Sequence, residues 1–141
     1  MMLTNEDPKT ICRLATVLCL AKPKATVVIL TDSPRYTEVN YMGGEHGFMR
    51  LMQRLGVQGR FQRAGQRIEF PNGSKVDIVP IQRDEDIDRL QGYEAEMFAV
   101  DNRCFFTARM LRVLKQRDRS GFTLDDLRVI GEDLNKQLVT T

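Results

Sequence analysis

GQRIEFPNGSKVDIVPIQRDEDIDRLQGYEAEMFAVDN, residues 65–102, decides how this chain is read. Gln66 to Phe70 alternates polar and apolar residues, and so does Lys75 to Val79, as strands with one wet face do. Between them, Pro71-Asn72-Gly73-Ser74 carries turn chemistry: proline fixes φ, and Asn-Gly accepts the positive φ of a tight hairpin turn. An acidic segment follows (Asp84, Glu85, Asp86, Asp88), then Leu90-Gln91-Gly92. Met97-Phe98-Ala99-Val100 is a short apolar run that stops on Asp101. That pattern predicts a buried strand with an acid at its C-terminal end, the end where open α/β sheets bind ligands.

Outward from this stretch, helix and strand signals alternate. Asn5-Glu6-Asp7-Pro8 reads as a helix start, with acids before the first turn and proline at the first helical position. Ile11, Leu14, Ala15, Leu18 and Cys19 then form an apolar stripe at helical spacing, ending near Lys22-Pro23. Ala25 to Leu30 is the continuous apolar run of a central strand buried on both faces, ending in Thr31-Asp32-Ser33-Pro34. A helical stretch with Tyr36 and Tyr41 is broken by Gly43-Gly44, and Phe48, Leu51, Met52 and Leu55 mark another amphipathic helix closed by Gly56. Gln58 to Arg63 reads as a further strand. After Asp101, Phe105, Ala108, Leu111 and Leu114 recur at helical spacing. Ser120-Gly121 is a break, and Thr123-Leu124-Asp125-Asp126 resembles a capping box before Leu124, Leu127, Ile130, Leu134 and Leu138. The fold class is α/β: a mixed, mainly parallel sheet flanked by helices, with a β-hairpin and a C-terminal helix. Residues 1–120 form the α/β domain and 121–141 an appended amphipathic helix.

The bulk properties narrow the function classes. At 141 residues the chain suffices for one domain with a real core. Its net charge of +2 does not argue for nucleic acid, so only a local patch could. No apolar run reaches the ~20 residues of a membrane span. Cys12, Cys19 and Cys104 have no C-x-x-C spacing and read as buried reduced thiols; with His46 alone, no metal site is expected.

A hairpin written I-x-F-x-N-G-S-x-V, a leucine-x-glycine and a buried strand ending in aspartate resemble the ATPase domain of viral DNA-packaging terminase large subunits. The resemblance covers roughly residues 8 to 117 and implies a truncated P-loop-like core. By it, Asp101 matches the Walker B acid that holds Mg²⁺. Asn102 stands where the family has the glutamate that activates water, and an amide cannot accept a proton. Gln91 stands where the family commonly has an arginine, with Arg89 two residues away. Lys9 and Thr10 match the end of the phosphate loop, yet Leu3 and Pro8 occupy its glycine positions, and Glu6 and Asp7 set negative charge where a triphosphate would sit. No strand is expected before that loop.

The resemblance therefore implies a catalytically degenerate protein of viral or mobile-element origin. Lys9, Thr10 and Asp101 are vestigial, and Asp101, Asn102 and Gln91 form no working catalytic set. No cofactor is expected, with Mg-ATP the candidate if the loop functions. Such a protein binds or regulates the packaging machinery (terminase or portal), in the host cytoplasm or the virion. Two alternatives stand beside it. One is a nucleic-acid-binding domain using Arg109, Arg112, Lys115 and Arg117, with Arg50, Arg54, Arg60, Arg63 and Arg67 as a second cluster. The other is a residual ATPase fragment. Leu124, Leu127, Leu134 and Leu138 either bind a partner or a second copy, or cover a sheet face.

Overall fold

The computed structural model describes residues 1–119, 123 and 125–132. Among the described residues six strands form one sheet in the order β1-β6-β2-β5-β4-β3: β1 Met2–Glu6, β2 Thr26–Thr31, β3 Arg60–Gln62, β4 Arg67–Glu69, β5 Lys75–Pro80 and β6 Met97–Asp101. β1, β6, β2 and β5 run parallel, and β4 and β3 add antiparallel at one side. The helices are α1 (Pro8–Ala21), α2 (Pro34–Thr37) continuing into a π-helical turn (Glu38–Met42), α3 (Phe48–Leu55), a 3-10 helix (Asp84–Leu90) and α4 (Ala108–Arg117). The protein is thus α/β, with a mainly parallel mixed sheet between helices. Among the described residues no helix is long and apolar enough to cross a membrane.

Val27–Leu30 of β2 and Met97–Val100 of β6 are apolar at every position because both faces of these strands are covered. Along β2, Val27 and Ile29 face a core with α1, the π turn and α3, whereas Val28 and Leu30 face one with the 3-10 helix and α4. β6 alternates the same way: Met97 and Ala99 join the α1 side, and Phe98 and Val100 the α4 side. β6 inserts between β1 and β2 late in the chain. Strand ends from three distant segments, at Glu6, Asp101 and Thr31, therefore meet along one edge of the sheet.

The hairpin forms as its alternation predicts, with Arg67 opposite Asp77, Ile68 opposite Val76 and Glu69 opposite Lys75. Gly73 takes φ +87°, and the turn residues also hold the α1–β2 connection. Asn72 Nδ2 donates to the Cys19 carbonyl at 2.7 Å and Ser74 Oγ to the Lys22 carbonyl at 2.6 Å, while Ala25 N–H donates to Ser74 Oγ at 3.1 Å. Those bonds satisfy backbone groups freed where the helix ends, so one turn organises two connections. Beside it, Arg67 pairs with the buried Asp77 through two hydrogen bonds, from Nε and from Nη2 at 3.2 Å.

Two sequence expectations are corrected. A strand does precede α1: β1 pairs with β6 across Met2–Phe98 and Leu3–Ala99, then bulges, with Asn5 in the left-handed region at φ 57°. As an edge strand it has a neighbour on one side only, which lets Thr4 and Asn5 remain exposed. Phe105 lies outside α4, because Thr107 caps that helix by accepting the Met110 N–H at 3.2 Å.

The capping box of the tail is present. Thr123 N–H donates to Asp126 Oδ2 at 3.0 Å, and Asp126 N–H donates to Thr123 Oγ1 at 3.1 Å. Residues 125–132 are helical, and Leu127 is fully buried in the core shared with α1, with Gly131 lying against Val17. Leu127 is thus covered by this chain's own core rather than exposed. Leu124, Leu134 and Leu138 lie outside the described residues. Leu127→Asp buries an uncompensated carboxylate and is expected to destabilise the fold by about 3 kcal/mol or more, read as a lower midpoint in urea unfolding. An unchanged midpoint would mean that Leu127 is not part of the core.

Candidate functional site

The strand-end edge places Asp101 at the centre of the parallel sheet, 1% exposed. Its Oδ2 accepts hydrogen bonds from Tyr36 Oη at 3.2 Å and, at short range, from Tyr41 Oη. Its Oδ1 accepts from the Arg103 N–H at 2.8 Å. Both carboxylate oxygens are therefore engaged by the protein's own donors. The Arg103 guanidinium lies over the Tyr36 ring, 5.4 Å from its centroid.

Local helix geometry explains why two tyrosines five residues apart reach one acid. A regular α-helix would splay such a pair by about 140°. Here the segment is π-helical from Glu38, with Gly43 N–H donating to the Glu38 carbonyl at 2.9 Å, and the wider turn brings Tyr41 nearly into line with Tyr36. Their ring centroids are 6.3 Å apart. Ser33 starts the helix by accepting the Tyr36 N–H at 3.2 Å, with Pro34 at the first helical position.

Burial and the charge of Asp101 disfavour the phenolate. The Tyr36 hydroxyl is pushed up to about 12, by burial first and then by Asp101. Tyr41 lies well above the usual phenol range, through burial and its bond to Asp101. Cys104, after the strand, is raised to about 12 by burial and by the charges of Asp101 and Asp32. Asp32 directly follows β2 and has one buried oxygen, Oδ1, with no hydrogen-bond partner among the described residues. Among the described residues no group of three or more His, Cys, Asp or Glu could hold a metal ion.

The β1–α1 connection, where the resemblance implies the end of a phosphate loop, is closed by the chain's own groups. β1 ends at Glu6 and α1 begins at Pro8, so Asp7 alone connects them. Its carboxylate accepts the Thr10 N–H at 2.7 Å, which holds Asp7 below the usual carboxylate range. The positive end of the helix thus already has an anion. Lys9 is exposed at a shallow pocket of ≈ 300 Å³ that also holds Asp7, Glu45 and His46.

The other sequence-derived positions scatter. Asn102 is exposed after Asp101, with its backbone N–H on the Glu6 carbonyl at 2.9 Å. Gln91 is exposed in the turn that leads into the start of β6, the end opposite Asp101. Arg89 reaches the Pro80 carbonyl at 3.4 Å and Asp86 at 3.7 Å. Arg109 is neutralised by Asp84 at 2.8 Å and Asp88 at 3.5 Å, which answers the acidic segment. Arg112 and Lys115 are exposed and make no ion pair among the described residues, and Arg117 is partly buried.

The sequence reading missed the Tyr36–Tyr41–Asp101 network. The available signal was two tyrosines following a strand that ends at Thr31. It also missed an open cleft of ≈ 540 Å³ between β1, β6 and α4. Comparison with known protein families, curated proteins and solved structures finds no match.

The pKa directions set an alkaline limit. Each tyrosine is raised (Tyr93 by burial and Asp77), so the stability they contribute is complete below the phenol's ordinary ~10 and is lost as pH rises through the folded values. Titration at 295 nm should therefore show Tyr36 and Tyr41 un-ionised in the native protein at about pH 10.5, and less tyrosinate than in the unfolded chain at the same pH. A phenol ionising at its ordinary pH in the folded state would refute this packing.

Proposed function

We propose that this chain is a catalytically degenerate relative of the viral packaging ATPases, one that binds or regulates packaging proteins instead of hydrolysing ATP. The observation that carries this reading is the occupancy of both elements of the nucleotide machinery by the chain's own groups. Asp101, the match to the metal-binding acid, spends both oxygens on Tyr36, Tyr41 and the Arg103 amide. Freeing it for Mg²⁺ would break hydrogen bonds to a charged acceptor, at about 1.5–3 kcal/mol each. Asp7 caps the helix where a phosphate would bind, and a one-residue connection leaves no length for a loop of N–H donors. Asn102 supplies no general base.

The partners that fit this reading are a terminase or portal of the packaging apparatus, in the host cytoplasm or the virion, and no cofactor is required. Nucleic-acid binding remains the second reading, favoured by one observation: Arg112 and Lys115 lie exposed on one face of α4 without acidic partners among the described residues. Homo-oligomerisation through the tail would have to use residues other than Leu127.

Purified protein with Mg²⁺ and ATP should release phosphate at no more than the background rate, and Asn102→Glu should not restore turnover. Hydrolysis that Asp101→Ala or Lys9→Ala abolishes would overturn the reading.

A further inference from the structure

The ≈ 540 Å³ cleft lies on the α4 side of the sheet, away from the N-terminus of α1. Met2, Val100, Phe106 and Leu111 give it apolar walls. Thr4, Asn5 and Asn102 bring polar side chains that make no hydrogen bond among the described residues. Among the described residues two charged side chains line it. Asp101 has both oxygens occupied by Tyr36, Tyr41 and the Arg103 amide, and Lys115 has no ion pair among the described residues. Asn5 is held at the cleft by the β1 bulge, in the left-handed conformation that asparagine tolerates better than most residues. Arg112, also exposed, stands one helical turn before Lys115 on the same helix.

Uncommitted amides, an aromatic wall and an unpaired ammonium in one cleft of ligand size fit a particular chemistry. A nucleobase offers a flat apolar face with donors and acceptors on its edge. Aromatic side chains stack on such faces, and asparagine amides pair with such edges. Lysine meets phosphate as a point charge.

We propose that the cleft between β1, β6 and α4 binds a nucleotide, its base against Phe106 and Leu111, its edge at Asn5 and Asn102, and its phosphate at Lys115. The site is separate from the Lys9–Thr10 region, needs no Mg²⁺ and catalyses nothing. The nucleotide is either free or one unit of a single strand.

The test uses the full chain in EDTA-containing buffer, with calorimetry and amide chemical shifts read against adenosine, AMP and a short single-stranded oligonucleotide. AMP or the oligonucleotide should bind more tightly than adenosine, with shifts at Asn5, Asn102, Leu111 and Lys115. The tighter of the two identifies the source. Lys115→Glu should weaken that binding about tenfold, the scale of one charge-assisted contact, and Asn102→Ala should weaken it severalfold. Lys9→Ala, on the far side of the sheet, should leave it unchanged. Both cleft variants alter exposed side chains, and retained native shifts will show that they fold. Absence of binding by AMP and the oligonucleotide at millimolar concentration overturns the proposal. So does binding that ignores both cleft substitutions, or that Lys9→Ala removes. Mg²⁺-dependent ATP turnover would contradict the degenerate-ATPase reading and leave this Mg²⁺-free result standing, so the two failures are distinct.

Discussion

A single residue, Asp7, separates β1 from α1, and its carboxylate closes the helix end by accepting the Thr10 N–H. The consequences run through the molecule. With so short a connection α1 must start directly at the end of β1, which sets its stripe of Ile11, Ala15 and Leu18 against Leu3, Ile29 and Ala99. The same connection removes the length a phosphate cradle needs and puts a fixed negative charge where an anion would be drawn. The packing of α1 and the lack of room for a phosphate cradle thus share one cause.

Asp101 plays the matching part on the next strand. Its carboxylate gathers two hydroxyls from the α2–π segment and one amide from its own following turn. A buried carboxylate is costly unless it is hydrogen-bonded, so the network offsets that cost while tying β6 to the segment after β2. The hairpin does comparable work at the other end of the sheet. There Asn72 and Ser74 bond to the end of α1 and the start of β2. Both ends of the parallel sheet are thereby pinned by polar side chains that follow strands or turns.

Much of this was legible from sequence, where local pattern and tertiary role agree. The Ala25–Leu30 run, the alternation on either side of Asn72-Gly73 and the apolar run ending on Asp101 each demanded a strand, and each is one. β1 escaped notice because an edge strand can carry Thr4-Asn5-Glu6 without penalty. The partners of Asp101 escaped notice because a π turn changes residue spacing, so Tyr36 and Tyr41 do not match a 3.6-residue template. Arg109 read as a free cation because nothing local shows that α4 lies beside the acidic 3-10 helix. Leu127 carried a true helix signal, but a stripe on a helix does not say whether its cover is the same chain or another. The cleft, assembled from β1, β6 and α4, has no local signature at all.

The central claim is that Asp101 is a structural acceptor and not a metal ligand. The most direct measurement is paramagnetic broadening of backbone amide resonances on adding Mn²⁺ together with ATP. A carboxylate fully engaged by Tyr36, Tyr41 and the Arg103 amide predicts that the resonances of Asp101, Asn102 and Arg103 stay sharp at a manganese concentration that broadens a Mg²⁺-dependent ATPase control. Selective loss of those three signals, reversed by excess Mg²⁺, would place the metal on Asp101 and contradict the account.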